Sequence, residues 1–153
     1  MSDKKHRELQ NAYVKFIKDD DIIYCEVEKE FNNYGQRGFI DILILENDKK
    51  KHWLNLIEIK IKIDDVGDFI RKLKKAINNL GIIRLNDYNY TLTNYVEIIV
   101  PKGFKVKELL VENKYLFENC GLDIAFLEFD IEKEQIEKCY YVENGKIPPF
   151  RGK

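Results

Sequence analysis

Cysteine is scarce in this chain of 153 residues: there are three, Cys25, Cys120 and Cys139, and no two of them form a C-x-x-C pair. With only two histidines, no zinc-finger or iron–sulfur ligand set can be assembled. Unpaired thiols suit a reducing compartment, so the expected location is the cytoplasm. Long hydrophobic runs are missing too. None approaches the ~18 apolar residues that cross a bilayer, and the stretch from Met1 to Arg7 is polar and charged, unlike a leader; no membrane partner is expected. An excess of one charge is likewise absent. Lys and Arg total 26 against 27 Asp and Glu, which excludes a uniformly basic sleeve for nucleic acid, so any basic footprint must be local. Neither a repeat nor a linker rich in proline or glycine divides the chain, and residues 1–153 read as one domain, long enough to bury its own core.

What the chain does contain is a set of strongly patterned segments. The hydrophobic fraction is 44% and the charged fraction 35%, which suits a packed core under a densely ionic surface. Leu9, Ala12, Tyr13, Phe16 and Ile17 form a helical stripe over residues 6–18, with Glu8 at its edge. After Asp19, Asp20 and Asp21, alternation of Ile23, Cys25 and Val27 predicts a strand over 22–28. Residues 38–46 and 53–63 are almost continuously apolar, as strands covered on both faces are. The polar stretch 47–52 between them is of hairpin length. A helix is expected from about Asp65 to Leu80, with Val66, Phe69, Ile70, Leu73, Ile77 and Leu80 inward and Gly81 as its C-terminal cap. A strand over 95–100, a helix over 105–117 and a last core strand over 121–129 complete the order α-β-β-β-α-β-α-β. Asn144-Gly145 and Pro148-Pro149 read as a turn and an irregular end.

Two of these strands carry ionisable groups among apolar neighbours. Period-two alternation puts Asp41 on one face with Phe39, Leu43 and Leu45, and puts Glu58 and Lys60 on one face with Leu54 and Leu56. A hairpin centred on residues 47–52 places Asp41 opposite Glu58. Directly opposed side chains have Cβ atoms roughly 4.5–5.5 Å apart, and two carboxylates that close repel. A divalent cation held by hard carboxylate oxygens resolves the repulsion, and Lys60 adds a second positive group. On this reading, removing either carboxylate relieves repulsion in the metal-free chain. Edge strands also carry Lys and Glu, to block aggregation, but the opposite face of this strand is uniformly Ile (Ile57, Ile59, Ile61, Ile63), as in a central strand.

Ile40-Asp41, followed after an interval by Glu58-Ile59-Lys60, resembles the motif of the PD-(D/E)XK nuclease superfamily. Ile40 stands where the motif has proline. Gly121-Leu122-Asp123-Ile124-Ala125-Phe126 is similar to that superfamily's closing core strand, so the resemblance covers most of the chain. It implies an α/β fold with a mixed central β-sheet flanked by helices, a restriction endonuclease-like core. It implies Mg²⁺ as cofactor, with Mn²⁺ able to substitute, held at Asp41, Glu58 and Ile59. Lys60 would position the attacking water and stabilise charge on the phosphate. Many members add a glutamate from the first helix, for which Glu8 is the candidate; Glu28 and Glu30 remain open as alternatives.

The implied activity is hydrolysis of a DNA phosphodiester, as an endonuclease. Arg37, Lys62, Arg71 and Lys72 are the candidate phosphate contacts, with Lys49–Lys51, Lys74 and Lys75 nearby in sequence and Asn33, Tyr34 and Gln36 in a polar loop before the motif strand. A chain with so little beyond the core leaves room for a homodimer presenting two sites. The rival readings are a nucleic-acid-binding module that keeps the nuclease fold without turnover, and a scaffold with no metal affinity.

Overall fold

Strands that are apolar on both sides need helices on both sides, and the chain supplies them. The computed structural model describes residues 4–18, 21–33, 36–48, 51–80 and 90–149. Its elements run α1 (Lys4–Ile17), β1 (Ile22–Asn33), β2 (Gln36–Asp48), β3 (Lys51–Ile59), α2 (Val66–Asn78), β4 (Tyr95–Pro101), α3 (Val106–Glu112), α4 (Lys114–Glu118), β5 (Asp123–Asp130) and β6 (Gln135–Val142). The strands form one sheet in the order β1-β2-β3-β4-β5-β6. Pairing is antiparallel from β1 to β3, parallel from β3 through β5, and antiparallel again at β6. Each parallel step needs a crossover, supplied by α2 and by the α3–α4 pair. The fold is therefore α/β with a mixed central sheet.

Two apolar layers sandwich the sheet. On one side Phe69, Leu73, Leu110 and Phe117 of the crossover helices pack on Leu43, Leu45, Leu54, Leu56, Val96, Ile98 and Phe126. On the other, Leu9 and Tyr13 of α1 pack on Ile42, Ile44, Ile57, Ile59, Ile99 and Phe129. Burying each such side chain contributes about 1.5–3 kcal/mol, which is why strands that face no water can carry so many Ile and Leu. Asp65 caps α2, its carboxylate accepting from the Asp68 N–H at 3.0 Å. Among the described residues no helix is long and apolar enough to cross a membrane.

Several expectations need correction. The β2–β3 ladder continues to Asp48 and Lys51, so only residues 49 and 50, outside the described residues, lie between the strands, and not the six of 47–52. The expected register survives because lengthening both strands by the same amount leaves every pair opposite its partner. Strand β3 ends at Ile59 and not at 63; one further bond, from the Lys60 N–H to the Ile99 carbonyl at 2.9 Å, carries its pairing with β4 past that end. The helix expected over 105–117 is broken at Asn113, whose side-chain amide donates to the Leu109 carbonyl at 3.0 Å and so competes with the helix's own bonding. Strand β6 was not expected at all. It pairs with β5 on one edge only, and Glu137, Lys138 and Cys139 dilute its apolar signal. The capping role of Gly81 lies outside the described residues.

The alternation assumed along β2 also breaks. Leu43 and Leu45 face the crossover helices and Ile42 and Ile44 face α1, yet Ile40 is buried on the crossover side with Leu43. Strict period two would put Ile40 with Ile42. The slip falls at Asp41, where the β1–β2 pairing, continuous on either side, skips one rung: Val27 pairs with Ile42 and Lys29 with Ile40, but Glu28 and Asp41 do not pair.

Candidate active site

Asp41 and Glu58 come together where β2 and β3 part. Their ladder closes at Ile42 and Ile57, and one residue further each carboxylate reaches across the gap to the other strand's backbone. The Asp41 N–H donates to Glu58 Oε2 at 2.9 Å, and the Ile59 N–H donates to Asp41 Oδ2 at 2.8 Å. Each carboxylate thus replaces a rung that the diverging strands no longer make. Among the described residues, Oδ1 of Asp41 and Oε1 of Glu58 accept no hydrogen bond.

Gly38 helps to set this geometry. It pairs with Phe31, and the ring lies so close that a Cβ on residue 38 would stand 2.7 Å from Phe31 Cζ. The absence of a side chain lets Phe31 cover β2 just before the motif.

The electrostatics follow from the crowding. Burial pushes the Glu58 carboxyl up to about 8, and the charge of Asp41 pushes in the same direction. The hydrogen bond from the Asp41 N–H and the positive charge of Lys60 pull the other way without cancelling the rise. Lys60 has no ion-pair partner among the described residues; its Nζ sits 5.8 Å from the centre of the Phe69 ring, on the crossover side.

The first helix contributes a residue that the sequence reading did not single out. His6 Nε2 lies 3.3 Å from Asp41 Oδ2, both side chains about four-fifths buried. The contact fits an Nε2–H donor, a tautomer inferred from the geometry. The signal was present in the stripe, since His6 stands one helical turn before Leu9 and Gln10, both buried against the sheet. Farther along α1, Tyr13 donates to Glu97 Oε1 at 3.2 Å, and Tyr95 donates to the other oxygen at 3.0 Å. That bond fixes α1 over β4 and with it the reach of His6.

Glu8 lies elsewhere. Its side chain is 56% exposed, with Lys4 Nζ at 4.0 Å, and it makes no contact with Asp41 or Glu58. Glu30 is exposed and pairs with Phe39; Glu28 stands across β1 from Asp41 with its side chain exposed. Ile59 is buried, so only its backbone carbonyl is available to a cation. Of the basic candidates, Arg37 is exposed on β2. Lys62 lies 3.5 Å from Asp64, and Arg71 and Lys72 lie 2.5 and 3.1 Å from Asp68, whose carboxyl they hold below its usual range. None of these four is within ion-pair distance of the two carboxylates. Lys51 stands at the far end of the hairpin, 5.6 Å from the Trp53 ring centre. Lys49, Lys50 and Tyr34 lie outside the described residues, as do the side chains of Asn33 and Gln36.

Among the described residues no group of three or more His, Cys, Asp or Glu side chains gathers as a metal-holding set. The donor set is two carboxylates and one backbone carbonyl. It fits Mg²⁺, which is typically bound through one or two carboxylates with waters and substrate phosphates completing the octahedron. An oxygen left over on each carboxylate, and a Glu58 charge made costly by Asp41, both suit a cation.

No protein-family model and no curated protein matches the chain. Two solved structures are similar to it. One is an XisH family protein from Nostoc punctiforme, 18% identical, with a TM-score of 0.39 over 88% of this chain and 96% of that one. The other is an fdxN element excision controlling factor protein from Anabaena variabilis, 20% identical, with a TM-score of 0.35 over 88% of this chain and 95% of that one. Likeness at this level carries no argument about activity.

Proposed function

We propose that the chain is a Mg²⁺-dependent nuclease that hydrolyses DNA phosphodiesters, with Asp41 and Glu58 as metal ligands and Lys60 as the phosphate-facing cation. The observation that carries the reading is the cross-strand lock: each carboxylate is held by the other strand's backbone N–H and keeps one oxygen that accepts no hydrogen bond among the described residues. Such a pair is preorganised for a cation and costly without one. Bound there, a divalent cation would lower the pKa of a coordinated water and offset charge on the scissile phosphate.

The chain's own groups do the rest. Glu58 must give up its proton before both free oxygens can ligate, so cation binding competes with a proton that burial holds on this group, and affinity rises with pH. Lys60 lies just past the end of β3, two residues from Glu58, and keeps its charge available for a phosphate oxygen. His6 holds Asp41 Oδ2 from the α1 side, together with the Ile59 N–H, and so orients the free oxygen.

The test is a panel of labelled linear duplex, branched and single-stranded DNA and of RNA, incubated with Mg²⁺, alongside calorimetric titration with Mn²⁺. Metal-dependent cleavage of a DNA substrate is expected. Binding of Mn²⁺ and DNA without any cleavage would replace this reading with a binding module on the same fold.

A further inference from the structure

Among the described residues, three that are not glycine adopt positive φ: Glu28 (55°), Glu134 (54°) and Asn144 (51°). Glu134 ends the turn between β5 and β6, and Asn144 precedes Gly145 in the turn bridged by Glu143 and Lys146. Several tight-turn types use that conformation. Glu28 is different, because it lies in the middle of β1, where an L-residue with a long side chain normally stays extended.

Its position explains the missing rung. Register is the same on both sides of Glu28, so no residue has been inserted; one pair is simply not made, and that pair is Glu28 with Asp41. Strands β1 and β3 flank β2 on opposite edges. The Asp41 N–H, donated at 2.9 Å to Glu58 on β3, therefore points away from β1. Left-handed geometry at Glu28 turns the backbone of β1 out of the ladder opposite Asp41, the position at which β2 also switches the faces of its side chains.

We infer that the left-handed backbone of Glu28 positions the Asp41–Glu58 pair, and that its carboxylate takes no part. Strain of this kind persists where the surrounding structure enforces it, and it clusters at functional sites. The Glu28 side chain is exposed and makes no hydrogen bond or ion pair among the described residues. This rests on the reading of Asp41 and Glu58 as metal ligands, but its structural half, the released Asp41 N–H, is independent of it.

The experiment compares Glu28→Gly and Glu28→Asn, which tolerate the left-handed region, with Glu28→Val, which resists it; Glu28→Thr replaces Val should that variant fail to fold. Mn²⁺ affinity is measured by calorimetry, melting temperature by circular dichroism, and the 28/41 rung by cross-strand NOEs. Gly and Asn should bind Mn²⁺ within about twofold of the parent, and Val should bind roughly tenfold more weakly with its melting temperature unchanged or raised. The rung's NOEs should appear in the Val variant alone. Val binding as tightly as the parent would overturn the inference, and so would Gly and Asn losing affinity as Val does, since the carboxylate would then be the active element. If the parent binds no Mn²⁺, the metal reading fails, while the NOEs still decide whether Glu28 releases the rung.

Discussion

Glu58 should make the metal-free protein lose stability as pH rises. Its carboxyl is pushed from 4.5 up to about 8 by burial and by the charge of Asp41. Below pH 4.5 the group is protonated in folded and unfolded chains alike and contributes no pH dependence. Between 4.5 and about 8 the unfolded chain releases the proton while the folded chain keeps it, so unfolding free energy falls with pH; above about 8 the loss is complete. At about 1.4 kcal/mol per pH unit, that window sets a ceiling of roughly 5 kcal/mol, a large part of the 5–15 kcal/mol that holds a typical domain together. The assay is urea denaturation in EDTA at pH 5, 6, 7 and 8 on the parent and on Glu58→Gln. The parent should weaken steadily across the series, and the Gln variant, which cannot ionise, should be flatter by most of the difference. Parallel curves would refute the reasoning. Saturating Mn²⁺ should reverse the parent's slope, because the cation binds the deprotonated pair.

Lys60→Ala should keep the parent's Mn²⁺ affinity and melting temperature and lose most of its single-turnover cleavage rate; a rate equal to the parent's would remove Lys60 from the mechanism. Asp41→Asn should fold as the parent does, because its amide oxygen still accepts the Ile59 N–H. Asp41→Ala leaves that donor without a partner and should cost about 1–3 kcal/mol in urea denaturation; a more stable Ala variant would show that relief of repulsion outweighs the lost bond. Gly38→Ala forces Phe31 aside and should cost about 1–3 kcal/mol, read as a lower denaturation midpoint with an unchanged slope.

Much of this arrangement was legible in the chain itself. Nearly continuous apolar residues over 38–46 and 53–63 marked strands covered on both faces, although the second ends at Ile59, and symmetry about the connection gave the register that brings Asp41 beside Glu58. The stripe in α1 and the apolar face of α2 followed from helical spacing. What stayed hidden depends on neighbours distant in sequence. His6 carries no local mark of a site residue, because its role comes from where α1 crosses β2, and the exposed Glu8 was the more conspicuous acid. Glu28 looks like any strand residue, since its positive φ answers a demand made by β3 through Asp41. The expected gain from deleting a carboxylate is opposed by the backbone donors that each one satisfies, which no local sequence pattern displays. Strand β6 was missed for a simpler reason: an edge strand with one face in water has half the apolar signal of a central one.

The central claim is tested most directly by single-turnover cleavage of a labelled DNA substrate by the parent, Asp41→Asn and Glu58→Gln, each with saturating Mg²⁺ and each again with EDTA. The account predicts cleavage by the parent with Mg²⁺ alone, and loss of at least roughly a hundredfold in rate, about 2.7 kcal/mol of barrier, in both folded variants. Cleavage by either variant at the parental rate, or cleavage by the parent in EDTA, would contradict it.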